Sequence, residues 1–489
     1  MYKGYQGVIC LDVNEISKLQ NRNIIIYGAG IYGTLLFSLL DVKGLKDNVT
    51  CFAVSDRNEN QEYLFGKRVL QFEDINIDSS ETVIIVAMKD DKAGIVIEKL
   101  WQQNINNLYW FNSYVKAKQE TEWLRFKKHY NKTIQKNKVL FYCYDGLGYR
   151  CNCKYIAEKL LKGNYPVNLV WALRNIENGL DVPESIKTVK IDTDEYYNEL
   201  YTSSVIVENS GKDIHVYKRE GQLCINTWHG YGPFKKVNAA LPEYDVKSLE
   251  DYFSYYDLFV TASKFYTQVY KDSFCYKGEV LECGAPRNDI FFIDNKAKDK
   301  ICQLFNIPAD KKIVLFAPTF RYDTAASFDK YHIDMKKVLH AMRNRFGEEY
   351  VLMYRFHHVL YQSKERLHYY ENGIDVTLYP DIQELLVAAD AVITDYSSLM
   401  WDFSLQRKPV FLYQSDAEEY ENNRGFYAPV SEWPYPHAHT QDELLEIIAR
   451  FDYETYIENL NLFLEKYGSC DDGHAAERVV KRIMDVVEG

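Results

Sequence analysis

Residues 226–236, "NTWHGYGPFKK", set a histidine behind a tryptophan and ahead of two glycines and two lysines. Histidine has an ordinary pKa near 6.5 and so exchanges a proton at neutral pH. His229 closes the apolar run "LCINTW", which reads as a strand. At a strand's C-terminal end it can take the proton of a hydroxyl nucleophile. A lone histidine beside a tryptophan can equally be a satisfied structural residue. Gly230 and Gly232 flank Tyr231 and let the loop approach a ligand closely. Lys235 and Lys236 add charge suited to a phosphorylated acceptor, which favours the chemical reading.

Three further stretches place polar groups at strand ends. "MYRFHH" carries Arg355 and His357, and "APTFRYD" carries Thr319 and Arg321. A guanidinium can fork onto phosphate oxygens, and an imidazole can donate to them or exchange a proton with them. Each alone reads equally as a surface ion pair; together at strand ends of one block they point to a diphosphate pocket. In "ITDYSSLMWDF", an apolar strand ends at Thr394 and Asp395, and Ser397 and Ser398 open a helix. That is either an ordinary capping motif or, through the helix's free N–H groups, an anion site.

A separate signal lies near the N-terminus. Gly28-x-Gly30-x-x-Gly33 follows the strand "IIIY" and opens a helix, with Asp56 after the next strand. The glycines permit a tight turn and close backbone approach to phosphate, and the acid is placed for a ribose hydroxyl. No hydride-transfer site follows. The pattern predicts a Rossmann-like domain and leaves open whether a nucleotide occupies it.

The elements holding these groups alternate strand and helix throughout, which implies parallel sheets covered by helices. We divide the chain into a Rossmann-like domain (1–115), a basic helical linker (116–137), two α/β blocks (138–303 and 304–445) and C-terminal helices (446–489). Two successive α/β blocks form a cleft where the carboxyl ends of their strands face each other. Residues 116–138 hold eight lysines and arginines against two glutamates, reading as a solvated helix or as a patch for an anionic membrane or polyanion.

At 489 residues the chain exceeds a single core, and its charge of −12 argues against nucleic acid as a partner. No apolar run approaches the ~20 residues that cross a bilayer, so the cytoplasm is the expected compartment. The ten cysteines lack C-x-x-C spacing; Cys151 and Cys153 read as buried thiols, not metal ligands.

The stretches "NTWHG…KK", "GAPRND", "APTFR", "RFH", "DIQELLVAADAVITDYSSLMWDF", "KPVFLY", "RGFY" and "DDGHAAERVVKRI" follow one another in an order that resembles the CDP-glycerol glycerophosphotransferase family, the teichoic-acid primases and polymerases. The resemblance covers roughly 138–489. It implies a GT-B fold whose C-terminal half holds a CDP donor, preceded here by an extra domain similar to nucleotide-binding domains of bacterial surface-glycan enzymes. It implies His229 as the base or an essential acceptor-side group. It puts Arg321, His357, Asp395, Ser397 and Ser398 around the donor diphosphate and adds Arg424 of "RGFY". "WHGYGPFKK" departs from the usual Thr-Pro-Leu after the glycine, which bears on donor or acceptor preference.

The implied reaction moves an alditol phosphate from CDP-glycerol or CDP-ribitol to a hydroxyl of a polymer or lipid-linked saccharide, releasing CMP, with no obligatory metal or other cofactor. A peripheral contact with an anionic membrane would then follow from the lack of a spanning segment. Two other readings stay open: a GT-B glycosyltransferase using a nucleotide sugar, and an inactive nucleotide-sensing or scaffold protein.

Overall fold

The computed structural model describes residues 8–58, 60–77, 81–176, 181–211, 217–319, 333–356 and 373–489. Their contacts divide into two compact units. The first runs up to Thr133 and also takes in Asp192–Tyr201 and a stretch ending at Arg219; the second holds the rest.

The first unit is built on a seven-stranded sheet: β1 (Ile9–Cys10), β2 (Asn23–Tyr27), β3 (Val49–Val54), β4 (Tyr63–Leu64), β5 (Lys67–Gln71), β6 (Thr82–Ala87) and β7 (Leu108–Phe111). Its order is β1-β7-β6-β2-β3-β5-β4, and only the β4–β5 pair is antiparallel. The runs "NIIIY" and "TVIIVA" are almost wholly buried, as strands covered on both faces must be. Ile24 and Ile26 join one apolar cluster, and Ile25 and Tyr27 the opposite one. This two-residue alternation fixes the register.

The basic segment departs from the expected linker. Its helix spans Tyr114–His129, groups with the first unit and packs on the helix Ile31–Val42. Gln135 already begins the next sheet. Arg125 is buried, 3.5 Å from Glu122, and its guanidinium lies 4.2 Å from the Tyr197 ring centroid. One face of the helix is therefore structural. Its surface charge comes from residues such as Lys127 and Lys128, not from all eight cations.

The second unit contains two wholly parallel sheets. One comprises β8 (Gln135–Tyr142), β9 (Asn168–Leu173), β10 (Lys187–Lys190), β11 (Ser203–Glu208), β12 (Leu223–Asn226), β13 (Leu258–Thr261) and β14 (Glu279–Glu282), in the order β10-β9-β8-β11-β12-β13-β14. The other comprises β15 (Lys312–Phe316), β16 (Tyr350–Tyr354), β17 (Ile374–Asp375), β18 (Ala391–Thr394), β19 (Val410–Tyr413) and β20 (His437–Ala438), in the order β17-β16-β15-β18-β19-β20. The helix Gln441–Ala449 crosses the expected boundary at 445 and packs on β19 and β20.

The final helix, Ala475–Glu488, buries Ala475, Ala476, Val479, Val480, Ile483 and Met484. That spacing presents one apolar stripe, which packs against the helix Cys151–Lys162 and strands β8 and β11. The free amides of Ala475 and Ala476 donate to the two Asp289 carboxylate oxygens at 2.9 and 2.8 Å. The chain's end thereby anchors "GAPRND" beside the cleft.

Candidate functional site

Strand β12 ends at Asn226 and delivers the "TWHG" turn at the sheet's C-terminal edge. Its register against β11 pairs Glu208 with Asn226, which brings the next residue of β11's exit, Asn209, beside the turn. His229 Nδ1 lies 2.6 Å from the Asn209 carbonyl oxygen. A carbonyl only accepts, so Nδ1 carries the proton and Nε2 keeps its lone pair. Trp228 turns the corner at φ +50°, and Tyr144, Asp145 and Cys151 around it also have positive φ. Backbone in this region costs about 1–3 kcal/mol per residue and collects at functional sites.

The sequence expectation of an ordinary histidine pKa is corrected here. Burial comes first and pushes His229 down to about 4; the Asn209 hydrogen bond opposes this, and Arg287 and Lys235 add repulsion. The imidazole is half-buried and is walled by Trp228 and Tyr144, whose ring centroids lie 4.3 and 5.1 Å away.

Arg287 is the group that sequence reasoning missed, although "GAPRND" was in view. It is buried; its Nε and Nη2 fork onto Asp402 Oδ2 at 3.0 and 2.8 Å, and Nη1 donates to the His229 carbonyl at 2.8 Å. Asn288 and Gln383 also donate to Asp402. Asn152 receives the Arg287 amide at 3.1 Å and donates to the Trp228 carbonyl at 3.0 Å. One buried ion pair thus fixes the histidine turn to the helix Leu399–Ser404 of the other sheet's lobe. Asn209 was missed as well. Its side-chain Nδ2 is buried with no hydrogen-bond partner among the described residues.

Two further cations, Arg355 and Arg150, lie near Tyr144. Arg355 follows β16, and its Nη1 donates to the carbonyls of Val376 and Tyr379 at 3.0 and 2.6 Å. Burial first and then Arg150 lower its pKa to about 10, against the opposing pull of Asp381 and Tyr144. Arg150 Nη2 caps the Leu147 carbonyl, while its buried Nε has no partner among the described residues. Two guanidinium groups that repel each other in this way would both be favoured by a nearby anion. Tyr144 packs edge-on against the His229 ring and acts electrostatically on Arg355, so one aromatic ring stands between the imidazole and that guanidinium. A Cβ on Gly230 would lie 3.3 Å from Ser398 Oγ, which brings the "WHG" turn against "TDYSS".

The residues expected around the donor diphosphate make the following contacts. The buried Asp395 carboxylate accepts the Thr319 amide at 2.8 and 3.0 Å, joining the exits of β15 and β18, and an anion there would repel a diphosphate. The helix after it is only Leu399–Ser404, and Ser398 makes no side-chain cap; Ser397 Oγ accepts the Leu399 amide at 3.4 Å. Arg321 and His357 lie outside the described residues.

Lys235 and Lys236 run antiparallel to "RGFY". Lys235 bridges Phe426, and the Lys236 amide donates to the Gly425 carbonyl at 3.2 Å. Gly425 has φ +69° and packs against the Lys236 side chain, so glycine is required there. Arg424 acts on the Tyr266 hydroxyl, which accepts from Trp228 Nε1 at 3.3 Å. "RGFY" therefore buttresses the histidine turn.

In the first unit, Gly28 has φ +118°, and a Cβ on Gly33 would lie 1.9 Å from the Gly28 carbonyl. Gly30 faces open space. Asp56 is exposed and accepts the Asn58 amide at 2.9 Å. Two of the three glycines are accounted for by packing alone.

Two successive lobes, each built on a parallel sheet, with His229 at a strand end of one and Arg355 at a strand end of the other, have the GT-B architecture. The profile of the CDP-Glycerol:Poly(glycerophosphate) glycerophosphotransferase family matches residues 124–485, and the chain belongs to that family. It is 27% identical over 426 residues to the teichoic acid poly(glycerol phosphate) polymerase of Staphylococcus epidermidis, an alignment covering 82% of this chain and 57% of the relative. The chain thus spans little more than half of that protein. It is also 27% identical to the teichoic acid glycerol-phosphate transferase of Staphylococcus aureus, over 72% of this chain and 94% of the relative. The solved structure of the wall teichoic acid polymerase TagF is similar at 25% identity and a TM-score of 0.67, covering 82% of this chain and 99% of that one.

Proposed function

We propose that the protein transfers an alditol phosphate, glycerol phosphate foremost, from a CDP-alditol to a hydroxyl of a bacterial surface-polymer precursor. The acceptor oxygen attacks the β-phosphorus, the bond from that phosphorus to the bridging oxygen breaks, and CMP leaves with the electron pair. His229 Nε2 takes the hydroxyl proton. Arg150 and Arg355 hold the diphosphate and offset the charge gathering on the leaving phosphate, with Arg321 and His357 assigned to the same group by family resemblance. Preorganised donors of this kind are worth ~10²–10³ in rate each.

The observation that carries this reading is the fixed tautomer of His229, its free nitrogen beside the aromatic wall it shares with Arg355. The relatives' names support glycerol phosphate as the transferred group. Among the described residues no helix is long and apolar enough to cross a membrane. We place the reaction on the cytoplasmic side, with a lipid-linked acceptor presented at the membrane face.

Nucleotide release from CDP-glycerol, CDP-ribitol and a panel of nucleotide sugars, followed by mass spectrometry, tests it. CMP is the expected product, and His229→Ala should cost about 10²–10⁴ in kcat. Release of a nucleoside diphosphate instead would overturn the assignment.

A further inference from the structure

One groove lies away from the chemistry. The helices Met335–Phe346 and Gln441–Ala449 pack side by side on the outer face of the last sheet and enclose about 920 Å³. Lys336, Lys337, Arg345 and Arg450 line it together with His340, against one carboxylate, Asp452. Asp334 and Glu446 lie outside the lining and pair with Lys337 and Arg450 at 3.7 and 2.9 Å, both pairs being solvent-exposed. Such pairs are screened and leave the cations available. Lys336 makes no ion pair among the described residues. This excess stands out on a chain of net charge −12.

The cations form a track. Lys336, His340 and Asn344 are four residues apart, and Lys337, Ala341 and Arg345 repeat the interval, so they share one helix face. The helix leads from β15 to the parallel neighbour β16, so its N-terminus lies at the sheet edge that carries the catalytic cleft. From Lys336 to Arg345 the track runs ~13 Å towards the opposite edge. Its apolar lining is Ala341, Leu445, Ala449 and Phe451. None of the large exposed apolar side chains lines it, so it lacks the projecting anchors of a lipid-binding face. A long concave track with cations on its walls fits a flexible chain bearing regularly spaced negative charges.

We propose that this groove binds the growing phosphodiester chain, the alditol phosphate units already joined to the acceptor; this rests on the transfer reaction proposed above. Holding the finished part of the chain retains the acceptor between additions, so the enzyme would extend one chain repeatedly.

The test uses the full chain and a fluorescent poly(glycerol phosphate) at low ionic strength. The triple variant Lys336→Gln, Lys337→Gln, Arg450→Gln spares Arg345, whose guanidinium donates to the Phe451 carbonyl. We expect its affinity for the polymer to fall roughly tenfold, and the wild-type affinity to drop steeply with added salt. CDP-glycerol affinity and the melting temperature should stay unchanged. Equal polymer binding by variant and wild type overturns the proposal. So does wild-type binding to phosphatidylglycerol vesicles without binding to free polymer, because the track would then serve a membrane. If polymer binding depends on the three cations but CDP-glycerol is never consumed, the groove stands and the donor assignment falls.

Discussion

The depressed pKa of His229 has a direct kinetic consequence. A general base works only when unprotonated, so activity is lost as pH falls through its pKa. In the free protein that value is pushed down to about 4, first by burial and then by Arg287 and Lys235. At pH 5 a base of pKa about 4 is ~90% unprotonated, whereas one at 6.5 is only ~3% unprotonated, roughly a thirtyfold difference in kcat/KM. We expect kcat/KM for CDP-glycerol, measured by CMP release from pH 4.5 to 8 in a buffer of constant ionic strength, to be nearly flat down to pH 5. Lys235→Gln removes one repelling cation and should move any acid limb upwards. An acid limb centred near 6.5 in the wild type, unmoved by Lys235→Gln, would refute the electrostatic account of the site.

Four substitutions probe the scaffold. Arg287→Lys keeps the charge but loses the fork that holds Asp402 and the His229 carbonyl; kcat should fall at least about tenfold with KM for the donor little changed, and an unaltered kcat would show that the fork does not position the turn. Burial pushes the Asp471 carboxyl up to about 7 from 3.8, Asp402 adds to this, and the Ala285 and Asn288 hydrogen bonds oppose it. A raised acid binds its proton more tightly when folded, so it erodes stability as pH rises from about 4 to 7, by at most ~4 kcal/mol. Asp471→Asn should flatten that slope and raise the urea midpoint at pH 8; parallel pH curves for variant and wild type would count against it. In the first unit, Gly33→Ala drives a methyl group into the Gly28 carbonyl and should lower the melting temperature of that unit, whereas Gly30→Ala meets open space and should change stability by less than about 0.5 kcal/mol. Equal effects of the two would show that the glycine turn is looser than described.

What was legible in the sequence follows what local pattern can encode. Buried strands such as "TVIIVA" and "SVIVE" declare themselves by unbroken apolar runs, and strand-end polar residues mark the edge where the cleft lies. That sufficed for the three sheets and for placing His229 and Arg355 at strand ends. Arg287, Asp402 and Asp471 were not recoverable, because their meaning lies in partners 115 and 183 residues away. Nor does a motif reveal which of its atoms are already engaged. Asp395 looks like part of a phosphate site until its oxygens are seen to hold the Thr319 amide. The basic segment misled for a related reason: composition counts charges, whereas only the helix face decides which of them, like Arg125, are buried.

A base of pKa about 4 is always available at neutral pH but is weak, and general-base efficiency rises as the pKa approaches the working pH. The structure contains a resolution. Burial, Arg287 and Lys235 depress His229, while on the far side of Tyr144 burial and Arg150 depress Arg355. A bound diphosphate supplies negative charge, and an anion near an imidazole raises its pKa. The donor would therefore strengthen the base it needs, and only when the site is loaded. Since kcat reports the pKa of the occupied enzyme and kcat/KM that of the free one, the acid limb of kcat should lie at higher pH than that of kcat/KM. Coincident limbs would mean that the diphosphate binds too far from His229 to act on it, and Arg150 and Arg355 would then have to be assigned to some other anion.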